Sequence, residues 1–307
     1  MRLRTLTRAL VAVVAMAMLA ACNPYRWPPA PHSPGPHYYV AMGDSLSTGT
    51  QPPFTPEHNF GDTDQGYTDQ LYKRLLAQDP KLQMVELGCG GETAVSMIHG
   101  DLPGVGSCGP PQAYDFWYPH GGTQLAEAEH FLRTHRGQVR VLTIDIGGND
   151  AQNASCAGNP DPAACNQQLN AGVQRDVAYV VARLRLADPR VLIVGMTYYN
   201  PRSAIWLFGQ QAAAAAGAPV TRAFNDVLSR TYELLGARVA DVGAAFSSYD
   251  FTTIVDSPFG RVPIAVARVC EWTWMCAPPP LGPDVHGNTE GYGVMADTFY
   301  RTINADQ

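Results

Sequence analysis

The chain has 307 residues, of which 46% are hydrophobic and 16% charged, enough apolar material for a sizeable core and too much for wholesale disorder. Its net charge is −6, with no run of like charges, which argues against nucleic-acid binding, since that needs a basic patch. The length suits one large domain or two small ones, and no repeat recurs at a fixed period.

The N-terminus reads as a targeting segment. Arg2, Arg4 and Arg8 precede an apolar run, Ala9 to Ala21, of signal-peptide length and too short for a comfortable membrane span. Leu19-Ala20-Ala21-Cys22 then resembles a bacterial lipobox, in which the cysteine is acylated and becomes the new N-terminus. The rival reading is ordinary secretory cleavage after an Ala-x-Ala-like site. Loss of residues 1–21 removes three arginines and no acids, taking the net charge from −6 to −9. Residues 22–36 carry Pro24, Pro28, Pro29, Pro31, Pro34 and Pro36. Such a segment is an extended tether, at about 3.1 Å per residue, which suits a domain (residues 37–307) held off a membrane surface.

Six further cysteines are present: Cys89, Cys108, Cys156, Cys165, Cys270 and Cys276. An even number in an exported chain suggests disulfides, and the spacing favours sequential neighbours: Cys89–Cys108, Cys156–Cys165 and Cys270–Cys276. No Cys-x-x-Cys or His-x-x-x-His pair appears, so no metal site is expected.

The first apolar run, Tyr38 to Met42, reads as a short buried strand leading into Gly43-Asp44-Ser45-Leu46-Ser47. Thr68 to Gln78 reads as a helix stopped by Asp79-Pro80, and Leu82 to Leu87 as a second strand entering Gly88-Cys89-Gly90-Gly91. Loop sequence is expected up to Gly122, then a helix over Gln124 to His135. Val139 to Ile146 is almost continuously apolar, as in a strand buried on both faces, and ends in Gly147-Gly148-Asn149-Asp150. Cys156 to Cys165 reads as a loop and Leu169 to Asp188 as a helix with Val173, Val177, Val180 and Leu184 along one face. Arg190 to Met196 is a fourth strand, Val220 to Leu235 a helix, and Arg238 to Val242 a fifth strand. Phe246 to Pro280 reads as irregular, and Thr289 to Ile303 as a closing helix. Strands alternating with helices predict a single three-layer α/β/α domain around a mainly parallel sheet.

Ser45 follows a strand, where ligand sites of open parallel sheets gather. A serine nucleophile needs a base, a group orienting that base, and donors for the oxyanion. His32 and His37 flank the tether and the first strand. His58, His99 and His120 sit in loops without catalytic context, and His130 and His135 in a helix. His286 differs, lying in Pro283-Asp284-Val285-His286-Gly287-Asn288 just before the last helix, with Asp284 two residues away. The oxyanion donors on offer are the Ser45 backbone, the Gly91 backbone and the Asn149 side chain. Each follows a strand, so all can converge on one edge of the sheet. The fifth position of the first motif is Ser47, which is not the Gly-x-Ser-x-Gly elbow of an α/β-hydrolase.

Together these motifs resemble the SGNH (GDSL) hydrolase superfamily, whose blocks supply Ser, Gly, Asn and His. They fall here at Ser45, Gly91, Asn149 and His286, in the family's order from about residue 38 to 303. The three disulfides also resemble those of secreted actinobacterial members. The resemblance implies a flavodoxin-like three-layer fold and an exported serine esterase or lipase acting on small or lipid esters. It implies Ser45 as nucleophile, His286 as base and no cofactor. A carbohydrate deacetylase, and a catalytically silent surface lipoprotein that binds lipid or glycan, are the alternatives. A monomer tethered to the membrane surface through Cys22 is the expected state. One departure stands out: the family usually places Asp three residues before the His, where this chain has Pro283. Either Asp284 orients His286 or a backbone carbonyl does. Trp272 and Trp274, between Cys270 and Cys276, are candidates for a wall of the site.

Overall fold

The computed structural model of the chain describes residues 35–53, 61–100, 118–154 and 156–305. The leader, Cys22, most of the tether, His58, Cys108 and Trp117 lie outside the described residues. So does one half of the expected Cys89–Cys108 pair.

Strand β1 (His37–Gly43) pairs in parallel with β2 (Leu82–Glu86) on one side and β3 (Val139–Asp145) on the other. β4 (Leu192–Met196) and β5 (Arg238–Ala240) extend the sheet in parallel, in the order β2-β1-β3-β4-β5. This is the expected flavodoxin-like architecture. The direction of winding reverses around β1 and β3, and loops leaving their carboxyl ends flank a crevice at that switch point.

Strand alternation divides the core into two layers. Tyr39 and Ala41 join one cluster, with Leu71 and Leu75 of α1 (Tyr67–Gln78) and Tyr292, Met295 and Phe299 of the last helix. Val40 and Met42 join the other, with Leu125 and Leu132 of α3 (Gln124–Thr134) and Val177, Val180 and Leu184 of α5 (Pro162–Ala187). Both faces are covered, which is why β3 and β4 lack polar alternation.

Four segments differ from the sequence reading. Within the expected loop before Gly122 lies a short helix, α2 (Ala94–His99). Thr93 caps it by accepting the Ser96 N–H, while the Ser96 hydroxyl accepts the Thr93 N–H. Six residues are too few to show a period, and Ser replaces the Glu or Gln that marks such a cap in sequence. Cys165 lies within α5 rather than in a loop, because Asp161 caps that helix and Pro162 opens it; its disulfide to Cys156 is formed. Helix α6 spans Gln211–Leu234 and runs through Pro219 instead of starting after it. The alanine tract before Pro219 propagates the helix, and Pro219 sits on the exposed face where its missing N–H is tolerated. The stretch read as irregular holds an antiparallel hairpin, β6 (Ile254–Ser257) with β7 (Gly260–Pro263), and helix α8 (Ile264–Trp272). α8 is apolar over most of its surface, so no polar stripe reveals its period. Cys270 and Cys276 are bonded. Two short helices, α4 (Gly148–Ala154) and α7 (Val242–Ala245), follow β3 and β5, and α9 (Thr289–Ile303) closes the fold as expected.

At the opposite end of the sheet, Asp79 is buried between His37 Nδ1, at 2.6 Å, and the guanidinium of Arg140 on β3. Burial works to raise its carboxyl, but hydrogen bonding and charge from His37 and Arg140 hold it below the usual carboxylate range. Its stabilisation is therefore present above the unfolded carboxylate pKa and is lost as pH falls through the lower folded value. Asp79→Asn removes the carboxylate shared by His37 and Arg140 and should cost about 1–3 kcal/mol at neutral pH. Thermal melts should show a Tm lowered by several degrees at pH 7 and a shrinking gap from wild type in acid. A gap that holds constant with pH would contradict this assignment.

Candidate active site

The site starts where β1 stops. Gly43 has φ +148°, and a Cβ there would lie 2.1 Å from the Asp145 carboxyl, so only glycine fits. Asp44 folds the next residues into a turn. Its carboxyl accepts the Leu46 N–H at 2.9 Å, and its carbonyl accepts the Ser47 N–H at 3.1 Å. Ser45 is half-buried within this turn.

His286 reaches the same point from the far end of the chain. Its Nδ1 lies 2.7 Å from Asp284 Oδ1 and its Nε2 lies 2.8 Å from Ser45 Oγ. A carboxylate only accepts, so Nδ1 carries the proton and Nε2 is left to accept from the Ser45 hydroxyl. The same Asp284 oxygen also accepts the His286 backbone N–H at 3.0 Å. The two-residue spacing thus brings Asp284 to the imidazole, where Pro283 has no side chain suited to do so. Burial raises the Asp284 carboxyl, but the hydrogen bond and charge of His286 outweigh it and hold Asp284 below the usual range.

The loop carrying His286 is held by the Cys270–Cys276 segment. Trp274 N–H donates to the His286 carbonyl, Asp284 N–H to the Trp274 carbonyl and Asn288 N–H to the Trp272 carbonyl. The two rings make contacts of their own. Trp272 packs edge-on against Phe246 under the Arg268 guanidinium, and the Trp274 indole N–H donates to Gln51 at 3.3 Å. Tyr199 fixes the loop from below through a hydrogen bond to the Val285 carbonyl.

Gly91 occupies a tight turn closed by the Glu92 N–H on the Cys89 carbonyl, at 3.1 Å. Its φ of +81° at the third position of that turn favours glycine. Asn149 stands in the first turn of α4 and donates one amide hydrogen to the Glu92 carbonyl at 3.0 Å. An amide nitrogen carries two hydrogens, so this bond leaves the second for a ligand. Asp150 accepts the Ala94 N–H at 2.9 Å, tying α4 to α2 and so bracing the loop that presents Asn149.

Several buried groups around the site carried no recognisable motif. Asp145, at the end of β3, accepts from the Tyr67 hydroxyl at 2.5 Å and from the Asp44 N–H at 3.3 Å. Burial raises both Asp44 and Asp145, and the charge of Asp44 pushes Asp145 further, well above the carboxylate range. Glu92, buried behind the Gly91 turn, is pushed up to about 7 by burial against hydrogen bonds from Ser96 and Gln124. Gln124, read in sequence only as the start of a helix, has its amide between Gly43 and Glu92. Only an acidic residue inside an otherwise apolar strand, as Asp145 is, offered a sequence signal. Among the described residues, no group of three or more His, Cys, Asp or Glu side chains is arranged to hold a metal ion.

Solved structures with this fold include an extracellular lipase from Streptomyces rimosus, at 16% identity and a TM-score of 0.55, covering 88% of this chain and 100% of that one. Phospholipase A1 from Streptomyces albidoflavus matches at 14% identity and a TM-score of 0.54, covering 89% and 100%. The acetylxylan esterase Axe2 from Geobacillus stearothermophilus matches at 15% identity and a TM-score of 0.51, covering 88% and 95%. No curated protein sequence matches the chain significantly. The model of the GDSL-like Lipase/Acylhydrolase family matches residues 41–294, most of the length. With that match on top of the fold, the chain belongs to the GDSL-like lipase/acylhydrolase family, a family of ester hydrolases.

Proposed function

We propose that this protein is an exported serine esterase that works through an acyl-enzyme. The observation that carries the reading is the line of contacts from Ser45 Oγ to His286 Nε2, at 2.8 Å, and from His286 Nδ1 to Asp284, at 2.7 Å. Ser45 attacks the ester carbonyl as His286 takes its proton. Asp284, ionised at neutral pH, holds the imidazole tautomer and stabilises the imidazolium. The Ser45 and Gly91 N–H groups and the Asn149 amide receive the negative charge on the tetrahedral oxygen. His286 then protonates the leaving alkoxide, and a water activated by the same imidazole releases the acid. No metal or organic cofactor enters this scheme. The substrate is a small-molecule or lipid ester.

A glycan O-deacetylase is the second reading. The acetylxylan esterase resembles this fold nearly as well as the phospholipase does, with TM-scores of 0.51 and 0.54, so fold likeness does not separate short acyl groups from long ones. Export and lipidation at Cys22 complete the proposal. They are supported by the leader's composition and by the disulfides Cys156–Cys165 and Cys270–Cys276, which suit an oxidising compartment.

Hydrolysis of a p-nitrophenyl ester series from acetate to palmitate should be abolished by Ser45→Ala. An acetate optimum would favour the deacetylase reading and a long-chain optimum the lipase. Turnover that survives in Ser45→Ala would exclude Ser45 as nucleophile. Asp284→Asn should lower kcat on the order of 10²–10⁴-fold with little change in KM, because the imidazole loses its tautomer control. Full activity in that variant would mean that a backbone carbonyl orients His286 instead. Cys22→Ala should move the protein from the membrane fraction to the medium or block its maturation. A variant that stays membrane-bound would exclude the lipid anchor.

A further inference from the structure

Oxyanion stabilisation works only if the donors are already in place when charge develops, and here they come from loops after three different strands. Gln124, the first residue of α3, is fully buried and lies between two of these loops. Its Oε1 accepts the Gly43 N–H at 2.7 Å, and its Nε2 donates to the Gly43 carbonyl at 3.0 Å. Nε2 also donates to Glu92 Oε2 at 3.1 Å, with the Tyr118 hydroxyl further off at 3.4 Å. The orientation of the amide is unambiguous, because a flipped amide would set its NH₂ against the Gly43 N–H. Glu92 continues the chain of bonds. Its other carboxyl oxygen accepts the Ser96 hydroxyl, and its backbone carbonyl accepts Asn149 Nδ2 at 3.0 Å. A continuous path therefore runs from Gly43, at the end of β1 and two residues before Ser45, through Gln124 and Glu92, to the Gly91 turn and Asn149.

We propose that Gln124 and Glu92 are positioning residues that hold the three oxyanion donors on one point, Gln124 by clamping Gly43 to Glu92 and Glu92 by anchoring Asn149. The proposal rests on the reading of Ser45 as nucleophile. Neither residue touches the reacting atoms in this scheme; each acts through the backbone of the loop it holds. Removing one oxyanion donor outright lowers kcat about 10²–10³-fold, and a donor displaced by a fraction of that geometry loses part of the same factor. Substrate binding, which draws on the rest of the cleft, should be affected far less.

The test uses the full chain in three forms: wild type, Gln124→Ala and Gln124→Glu. Competent sites are counted by titration to completion with a fluorophosphonate, and p-nitrophenyl ester turnover is expressed per titrated site. Gln124→Ala should lower kcat per site about 10–100-fold with KM within about twofold, and should weaken inhibition by a phenylboronic acid in parallel. Gln124→Glu separates positioning from folding. A protonated glutamic acid keeps one donor and one acceptor in nearly the same places, whereas its carboxylate opposes both Glu92 and the Gly43 carbonyl. Its kcat per site relative to wild type should therefore be highest at the acid end of the range and fall as pH rises. The groups facing that position are Glu92 and Tyr118, with Asp44, in the turn after β1, and Asp150, in α4, the carboxyls acting on Glu92. Values of kcat per site within about twofold of wild type at all pH, with only the titratable fraction reduced, would overturn the proposal and leave Gln124 a purely structural residue. If Gln124→Ala yields no folded protein, the pH profile of kcat per titrated site in Gln124→Glu carries the comparison. A wild type that neither hydrolyses any ester nor takes up the fluorophosphonate would bring down the serine-esterase reading itself, and this proposal with it.

Discussion

His286 has to meet a serine 241 positions earlier in the chain, and much of the structure serves that one contact. The imidazole is held at both nitrogens, by Asp284 and by Ser45 Oγ, so its loop has little freedom to shift. The loop is pinned from three directions: by the backbone of Trp272 to Trp274, by the Tyr199 hydroxyl, and by α9. α9 is itself locked against the serine loop, since the buried Tyr292 hydroxyl donates to the Thr50 carbonyl at 2.8 Å. α9 also packs on α1, where the Phe299 ring stacks on Tyr67 at 4.8 Å. Tyr67 in turn reaches Asp145 beneath Ser45. Core packing and the Ser45–His286 contact are thus parts of one network.

The carboxyls around Ser45 are separated by environment. Asp284 is half-buried with a histidine against it, and its charged form is favoured. Asp44, Asp145 and Glu92 are buried more deeply, and burial favours their protonated forms. This separation suits the proposed chemistry. One carboxylate faces the imidazole where positive charge would develop, while burial disfavours charge behind the loops that would receive the oxyanion. Fully ionised, the three buried acids would oppose the developing negative charge at close range through a poorly screened interior.

The sequence motifs led to Ser45, Gly91, Asn149 and His286 because each lies in a glycine-rich or polar break directly beside a regular element. The same breaks made the sheet legible, since β3 and β4 are apolar runs with sharp ends. Elements without such contrast escaped. α2 is short, and its Thr93 cap is completed by Ser96 in place of the usual Glu or Gln, while α8 is apolar on nearly every face. α6 contains a proline at which the sequence appeared to start afresh. Gln124 and Glu92 escaped for a different reason: a buried amide and a buried acid look in sequence like any polar residue on a helix or turn.

By itself the sequence determined the alternation of strands and helices and the parallel sheet, because periodicity and glycine-rich breaks are local properties of the chain, and its motifs pointed to Ser45 and His286 as candidates. It left open whether Asp284 or a carbonyl faces His286, since two-residue and three-residue spacings differ only in how the loop folds. Tertiary structure decided that by setting Asp284 Oδ1 2.7 Å from Nδ1. It also decided the burial of Asp145 and Glu92 and the bridge made by Gln124. Such burial and partnership arise when segments distant in the chain, such as Gly43 and Gln124, 81 positions apart, are brought to one edge of the sheet.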